Sequence, residues 1–328
     1  MNRDNGYKLH PYTMQTKKGD LMPSIHTKQY QIMTDQQLVW DLLIQNYAPR
    51  MAQGIAAPFY EYALVSSWMD TRYLYRNRLW LDGDQAVGFV YYENPAHCIF
   101  FSLLPGYDFL AEEMIAWAEE GMPGSPKEKE LIFFPGQQAL MEAAGKRGYR
   151  LSWQEEDYLL DMESAVLDHP LPPGFHFVDA AQADPVKLAR CAWKGFGHED
   201  KGPFLHWDAP EQGDGWTPQR AYRGVHSCFM APPPHATYAR DVIIADAHGE
   251  YACYAGMWWV PENQLAYMEP LCTIPEYRGM GLAKAALSEH YRRLKPRGAK
   301  YMTGGGDPFY QKIGYQEKIQ WLHFRRKP

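Results

Sequence analysis

The sequence predicts an α/β (α+β) fold in two domains of one plan, each a mixed, mostly antiparallel twisted sheet flanked by helices. Three observations carry this. The chain has 328 residues, and at about 150 residues per domain that length suggests two units. From residue 242 onward three strand-like runs follow one another across short turns and lead into a glycine loop and an amphipathic helix. The first half of the chain repeats that order faintly.

In the second half, strands are expected over 175–178, 242–246, 251–259 and 265–274. The intervening Ala-His-Gly-Glu and Pro-Glu-Asn-Gln turns argue for an antiparallel meander. Asp184-Pro185 opens a helix that runs through Leu188, Cys191 and Trp193. The stretch 195–240 shows no sustained periodicity and reads as a long loop, of the kind that forms lids or binding surfaces. A helix starts near Gly281, with Leu282/Ala286 and Ala283/Leu287 on one stripe, and stops at Lys295-Pro296-Arg297-Gly298. A strand over 299–303, a short helix over 308–312 and a strand over 318–324 complete it.

The first half yields strands over 79–81, 86–92 and 98–103, a helix over 109–120, a strand over 131–134, a helix over 137–144 and a strand over 158–161. Leu104-Pro105-Gly106-Tyr107 sits where Ile274-Pro275-Glu276-Tyr277 does, and Lys146-Arg147-Gly148-Tyr149 where Lys312-Ile313-Gly314-Tyr315 does. Between the halves, three prolines and a glycine fall within residues 170–174. A boundary near Leu167 therefore divides the chain into 1–166 and 167–328.

Composition narrows the function. Hydrophobic residues make up 46% and charged residues 22%, which excludes a disordered, collagen-like or coiled-coil chain. The net charge of -6 leaves no basic field for nucleic acid or an anionic membrane. Cys98, Cys191, Cys228, Cys253 and Cys272 are scattered, with no Cys-x-x-Cys, so a cytoplasmic chain without disulfides or zinc is expected. The polar first ten residues carry no leader, and no apolar run is long enough to cross a bilayer.

Pro275-Glu276-Tyr277-Arg278-Gly279-Met280-Gly281-Leu282-Ala283-Lys284 is the most informative stretch. Glycines between a strand and a helix let successive backbone N–H groups converge, and the helix N-terminus adds about half a positive charge. Arg278 adds a full one. The spacing is neither a Walker loop nor a dinucleotide Gly-x-Gly-x-x-Gly. Arg278-Gly-Met-Gly281-Leu-Ala283 resembles the Arg/Gln-x-x-Gly-x-Gly/Ala loop of the GNAT N-acetyltransferases. The lead-in Glu269-Pro-Leu-Cys-Thr-Ile-Pro275 and the later Phe309-Tyr-Gln-Lys-Ile-Gly-Tyr315 are similar to neighbouring motifs of that family, in the same order. The resemblance covers about 174–324 well and the first half in outline.

It implies two GNAT-like domains and transfer of an acetyl group from acetyl-CoA directly to a primary amine of a small molecule or peptide, with no metal. The loop 278–284 would hold the pyrophosphate, and the backbone of Leu271, Cys272 and Thr273 would meet the thioester. A lysine-like amine is neutral in about one molecule per thousand at pH 7, so a base is required. Glu269 is the candidate; the alternative is a structural pairing with a neighbouring cation. Tyr310 stands where the family's general acid does, or is a core tyrosine. Asp307 replaces a cofactor-contacting asparagine. In the first half Asp108 stands at the register of Arg278 and the glycines are missing, so that copy is expected to be degenerate.

Other signals are weaker. His198-Glu199-Asp200 and His206 lack a metal-ligand spacing. Cys272 reads as a core residue rather than a nucleophile. Phe196, Phe204, Trp207, Trp258, Trp259 and Tyr267 either line an acceptor site or pack the core. A non-catalytic acyl-CoA-binding sensor or scaffold is the competing reading, and the acceptor and the oligomeric state stay open.

Overall fold

A short edge strand, β1 (Ile25–Gln29), leads into α1 (Ile32–Asn46), which buries Val39, Trp40, Leu42 and Leu43 on one side. Asp35 reaches back to the Gln31 amide at 2.8 Å and closes the first turn. After α2 (Ala57–Val65) come β2 (Arg78–Asp82), β3 (Gln85–Tyr92) and β4 (Cys98–Leu103). Strands β3 and β4 are Val-, Phe- and Tyr-rich and buried on both faces, as strands covered from both sides must be. The half ends with α3 (Ala111–Glu120), β5 (Glu130–Phe133), α4 (Gln138–Lys146) and β6 (Tyr149–Asp161). The structure, a computed structural model, describes residues 24–204, 217–225, 232–237 and 240–326.

The second half runs through the same series. Strand β7 (Phe175–Val178) is followed by α5 (Pro185–Gly195), capped by the Asp184 carboxylate on the Val186 amide at 2.8 Å, and by α6 (Pro218–Val225). Then come β8 (Val242–Asp246), β9 (Tyr251–Val260), β10 (Leu265–Thr273), α7 (Leu282–Leu294), β11 (Tyr301–Thr303), α8 (Pro308–Lys312) and β12 (Glu317–Arg326). The expected fold class is what is observed, an open, mostly antiparallel sheet flanked by helices and built twice.

All twelve strands join one sheet in the order β1-β2-β3-β4-β5-β12-β6-β11-β10-β9-β8-β7. Its two ends mirror each other except at the centre, where the last strands are exchanged. Strand β12 pairs antiparallel with β5 of the first half, and β6 pairs antiparallel with β11 of the second. Between them β6 and β12 pair along almost their whole length, from Glu317 opposite Leu159 to Arg326 opposite Tyr149. The parallel pairs are β4/β5 and β10/β11, one in each half.

The cores follow this layout. The largest spans both halves, joining Tyr60, Trp80 and Phe89 to Trp258, Tyr267 and Trp321. Separate clusters lie under α7 and α8, and beneath α5 and α6. A second tie comes from residues 232–237, where the His235 ring stacks on Trp40 at 3.8 Å and Nδ1 lies 3.2 Å from both Glu61 carboxylate oxygens.

Five elements differ from expectation, β1 among them, since no strand was expected over Ile25–Gln29. Helices α1 and α2 have no counterpart in the sequence reading, and α6 lies inside the stretch taken as loop. Strand β6 starts at Tyr149, nine residues before the expected strand; Tyr149, Leu151 and Trp153 alternate with polar residues, a strand pattern absent from the expectation. Partners on β12 hold its acidic middle: Lys318 pairs with Glu156, and the Trp321 indole donates to Asp157 at 2.8 Å.

The exchange makes a test of the division at 166/167. Expressed separately, each piece loses the long β6/β12 pairing, so we expect both to aggregate and to melt without cooperativity. Co-expressed, they should copurify, and a soluble 167–328 piece with a sharp thermal transition would show the exchange to be dispensable.

Candidate functional site

The loop before α7 is shaped by two glycines in the left-handed region, Gly279 at φ 78° and Gly281 at φ 91°. No atom crowds either position, so conformation rather than space requires glycine there. The first intrahelical bond of α7 runs from the Ala285 amide to the Gly281 carbonyl at 3.0 Å, leaving the Leu282, Ala283 and Lys284 amides with no intrahelical acceptor. The first turn holds no acidic residue and contains Lys284. Residues 277–284, with Thr273 and Phe309, enclose a groove of about 450 Å³. Arg278 is exposed, and its guanidinium donates to the Thr273 carbonyl at 3.2 Å and the Gly195 carbonyl at 2.9 Å, tying the loop to β10 and α5. These features suit an anionic, phosphate-like group.

Strand β10 parts from β11 just before this loop. The parallel pairing covers Leu265/Tyr301 and Ala266/Met302, and then the Met268 amide donates to Thr303 Oγ1 at 2.7 Å. Beyond that the strands diverge. On its other side β10 bulges between Met268 and Leu271, where two residues, Glu269 and Pro270, stand opposite Gly256 of β9. A Cβ at Gly256 would lie 2.2 Å from the Glu269 carbonyl oxygen. Gly256 was absent from the sequence reading, although an isolated glycine inside a strand pattern is a signal of a bulge.

Glu269 is half-buried in the opening between the strands and lines two cavities. The larger, about 390 Å³, is walled by α2, α5 and α6; the smaller, about 220 Å³, also holds Asp157, Thr303, Gly304 and Gly305. Burial, and then the like charge of Asp157, push the Glu269 carboxyl up to about 7. Burial likewise raises Asp157 to about 6, against the Trp321 indole bond that favours its anion. Glu93, just past β3, is pushed by burial and by Glu269 to about 8. Asp157 and Glu93 come from the first half and escaped the sequence reading, which searched near the loop. Among the described residues, none of these three carboxylates is paired with a cation.

Tyr310 lies on α8 with 6% of its surface exposed, its hydroxyl 4.0 Å from Met268 Sδ. Burial, with the charges of Glu269 and Asp157 adding to it, holds the phenol well above its usual range, so it keeps its proton. A Cβ at Gly304 would come within 2.5 Å of the Tyr310 ring, so Gly304 makes room for that ring. Asp307 caps α8, accepting from the Phe309 amide at 2.7 Å, which gives its carboxylate a structural task. Cys272 is 5% exposed and packs under Gly195 of α5. Thr273 lines the groove, whereas Leu271 packs in the cores beside α7. Among the described residues no three His, Cys, Asp or Glu side chains could hold a metal. His206, Trp207 and Cys228 lie outside the described residues.

The corresponding place in the first half is closed. Gln137 donates to the Phe101 carbonyl at 2.7 Å and the Gln53 carbonyl at 3.0 Å, and accepts from the Phe134 amide, stapling the gap between β4 and β5. The Gly136 amide donates to the Ala52 carbonyl at 2.7 Å. Asp108, Glu112 and Glu113 stand at the start of α3, where the second half has glycines and Lys284. The macrodipole there is met by the chain's own acids.

Replacing Gly256 by alanine forces the bulge to move, and overpacking of this kind costs about 1–3 kcal/mol. We expect a clear fall in the thermal midpoint of Gly256→Ala; an unchanged midpoint would mean that the bulge is soft.

Residues 203–315 match the family model described as Acetyltransferase (GNAT) family. No curated protein sequence matches the chain. The fold is similar to that of an acetyltransferase from the GNAT family from Colwellia psychrerythraea, with 10% identity, 93% of this chain and 100% of that chain covered, and a TM-score of 0.55. It is also similar to a tandem GNAT protein from the clavulanic acid biosynthesis pathway, with 12% identity, 93% and 99% coverage and a TM-score of 0.52. At such identities the structural likeness is one of fold, and it extends over both halves. The match over 203–315 identifies the half that carries the open strands and the glycine loop as a domain of the GNAT family.

Proposed function

We propose that the chain is an N-acetyltransferase that moves an acetyl group from the thioester of acetyl-CoA directly to a primary amine, using 167–328 as its catalytic half and 1–166 as a degenerate copy. The observation that carries this is the placement of Glu269, a carboxylate titrating near 7, where β10 leaves β11 and beside a loop fit for a pyrophosphate. The loop 278–284 would hold the phosphates through the amides of Leu282, Ala283 and Lys284 and the α7 dipole. Pantetheine would then run along Thr273 into the opening between the strands.

Each step has a residue. Glu269 takes a proton from the ammonium, directly or through water, freeing the nitrogen lone pair. As the C–N bond forms, charge gathers on the carbonyl oxygen, and the edge of β10 that faces away from β9, unpaired beyond Met268, offers a backbone amide to it. When the C–S bond breaks, Tyr310 gives its proton to the departing thiolate, and the second proton shed by the new amide nitrogen returns to the phenolate, directly or through water. The raised affinity of this phenol for its proton keeps it in the acid form at neutral pH. Tyr310 stands close enough to Glu269 to feel its charge, and a sensor would have no need of a base and an acid so near each other.

The first test is calorimetric: acetyl-CoA should bind, and no binding at tens of micromolar would sink the reading. Glu269→Gln should lower kcat by about 100-fold or more in a thiol-release assay. Because Glu269 must be unprotonated to act, kcat/KM for the wild type should rise with pH through about 7 and level off above it. Asp157→Asn removes the like charge that raises Glu269 and should move that limb to lower pH. Tyr310→Phe should lower kcat by about 100-fold with little change in KM for acetyl-CoA, and an undiminished maximal rate at every pH would remove Tyr310 as the acid.

A further inference from the structure

The larger cavity at Glu269 has a chemistry of its own. Its walls come from both halves: Tyr62 on α2 and Trp68 just past it face Trp193 on α5, with Phe196 beyond it, and Ala221 on α6. Its volume of about 390 Å³ falls within the size of a small-molecule pocket. Among the described residues that line it, Glu269 is the one carboxylate, and none is lysine or arginine. We propose that this cavity binds the acceptor, and that the acceptor is a monoamine whose primary amino group is carried on an aromatic body. The proposal rests on the acetyl-transfer reading of Glu269 and adds to it the class of amine.

The polar groups in the cavity are few and largely committed. Ser66 Oγ donates to the Ala63 carbonyl at 2.8 Å, and Ser67 Oγ to the Arg220 carbonyl at 2.6 Å, so neither hydroxyl proton is offered inward. The Trp193 indole N–H donates to the Gly202 carbonyl at 2.9 Å, which leaves its ring to serve as wall. Burial, and then Lys201, lower the His198 imidazole below its usual range, so it is neutral at pH 7. A hydroxyl-rich amine would find few donors here in exchange for its water. An amino acid would bring a carboxylate that meets no cation, and a polyamine would bring ammonium groups with one carboxylate to share.

Aromatic rings fit for the converse reason. Rings on opposite walls can take an aryl group edge-on or offset, which favours it over an aliphatic chain of equal area. Phe196 is 46% exposed on this cavity although it is a large apolar residue, and a bound ring would cover it. The amino group of such a ligand then has one charged partner within the lining, Glu269, which is also the base. Tyr62, Ser66, Ser67 and Trp68 belong to the first half, so the degenerate copy supplies one wall of the pocket.

The test uses the full chain and two readouts. Calorimetry with 2-phenylethylamine, spermidine and glycinamide, each without acetyl-CoA, reads the pocket alone; thiol release with acetyl-CoA reads transfer. We expect 2-phenylethylamine to bind and to give a kcat/KM at least about tenfold above the other two. Ala221→Phe, which fills the cavity, and Trp68→Ala, which strips a wall, should each weaken 2-phenylethylamine binding by about tenfold or more, with circular-dichroism melts confirming that both variants fold. Preference for spermidine or glycinamide overturns the proposal, as does unchanged affinity in two folded variants. If 2-phenylethylamine binds but acetyl-CoA does not, the transfer reading falls and the pocket stands. If acetyl-CoA binds and 2-phenylethylamine does not, the pocket assignment falls alone.

Discussion

Strand β10 has to leave its neighbour while remaining part of the sheet, and the site is organised around that requirement. A strand that gives up pairing on one edge exposes amides and carbonyls that water or a ligand must satisfy. Thr303 Oγ1 takes the last of these, from Met268, and the bulge at Glu269-Pro270 then turns the following residues away. The bulge exists because Gly256 lets the Glu269 carbonyl come closer than any side chain would permit. One backbone contact thus sets where the carboxylate stands, how wide the opening is, and how β10 approaches the loop before α7.

The parts legible in the sequence are those whose cause is local. The glycine loop, the capped helix α5, the striped helix α7, the meander β8 to β10 and the short α8 each carry their signal within about ten residues. What was illegible depends on distant partners. The exposed stretch of β6 is held as a strand by β12, and the alternation of Tyr149, Leu151 and Trp153 is its only local sign. Helix α2 carries no stripe because it is packed from several sides, even Glu61 being buried, whereas α1 does carry one in Val39, Leu42 and Leu43. For the site, the motif order located Glu269 and the loop, whereas Asp157 and Glu93 approach from the other half of the chain and leave no mark near the motif.

Electrostatics separates the two copies more sharply than shape does. Both halves have a parallel pair that ends early and a helix that starts beside it. In the second half the helix start is left uncompensated, with Lys284 in its first turn, while in the first half Glu112 and Glu113 occupy it and Gln137 closes the adjoining gap with three hydrogen bonds. A carboxylate at a helix N-terminus contributes up to about 1 kcal/mol to stability. The acids that stabilise this helix start also leave it unsuited to an anionic group.

Exchange of β6 and β12 also has a meaning in time. Strand β5 waits for a partner made more than 180 residues later, so the first half leaves the ribosome with one edge of its sheet unsatisfied. Contacts of such sequence separation form late, after the loop-closure entropy has been met. During synthesis the β5 edge, with Leu131, Ile132 and Phe133 upon it, is the surface most exposed to wrong pairing, including pairing with another nascent copy.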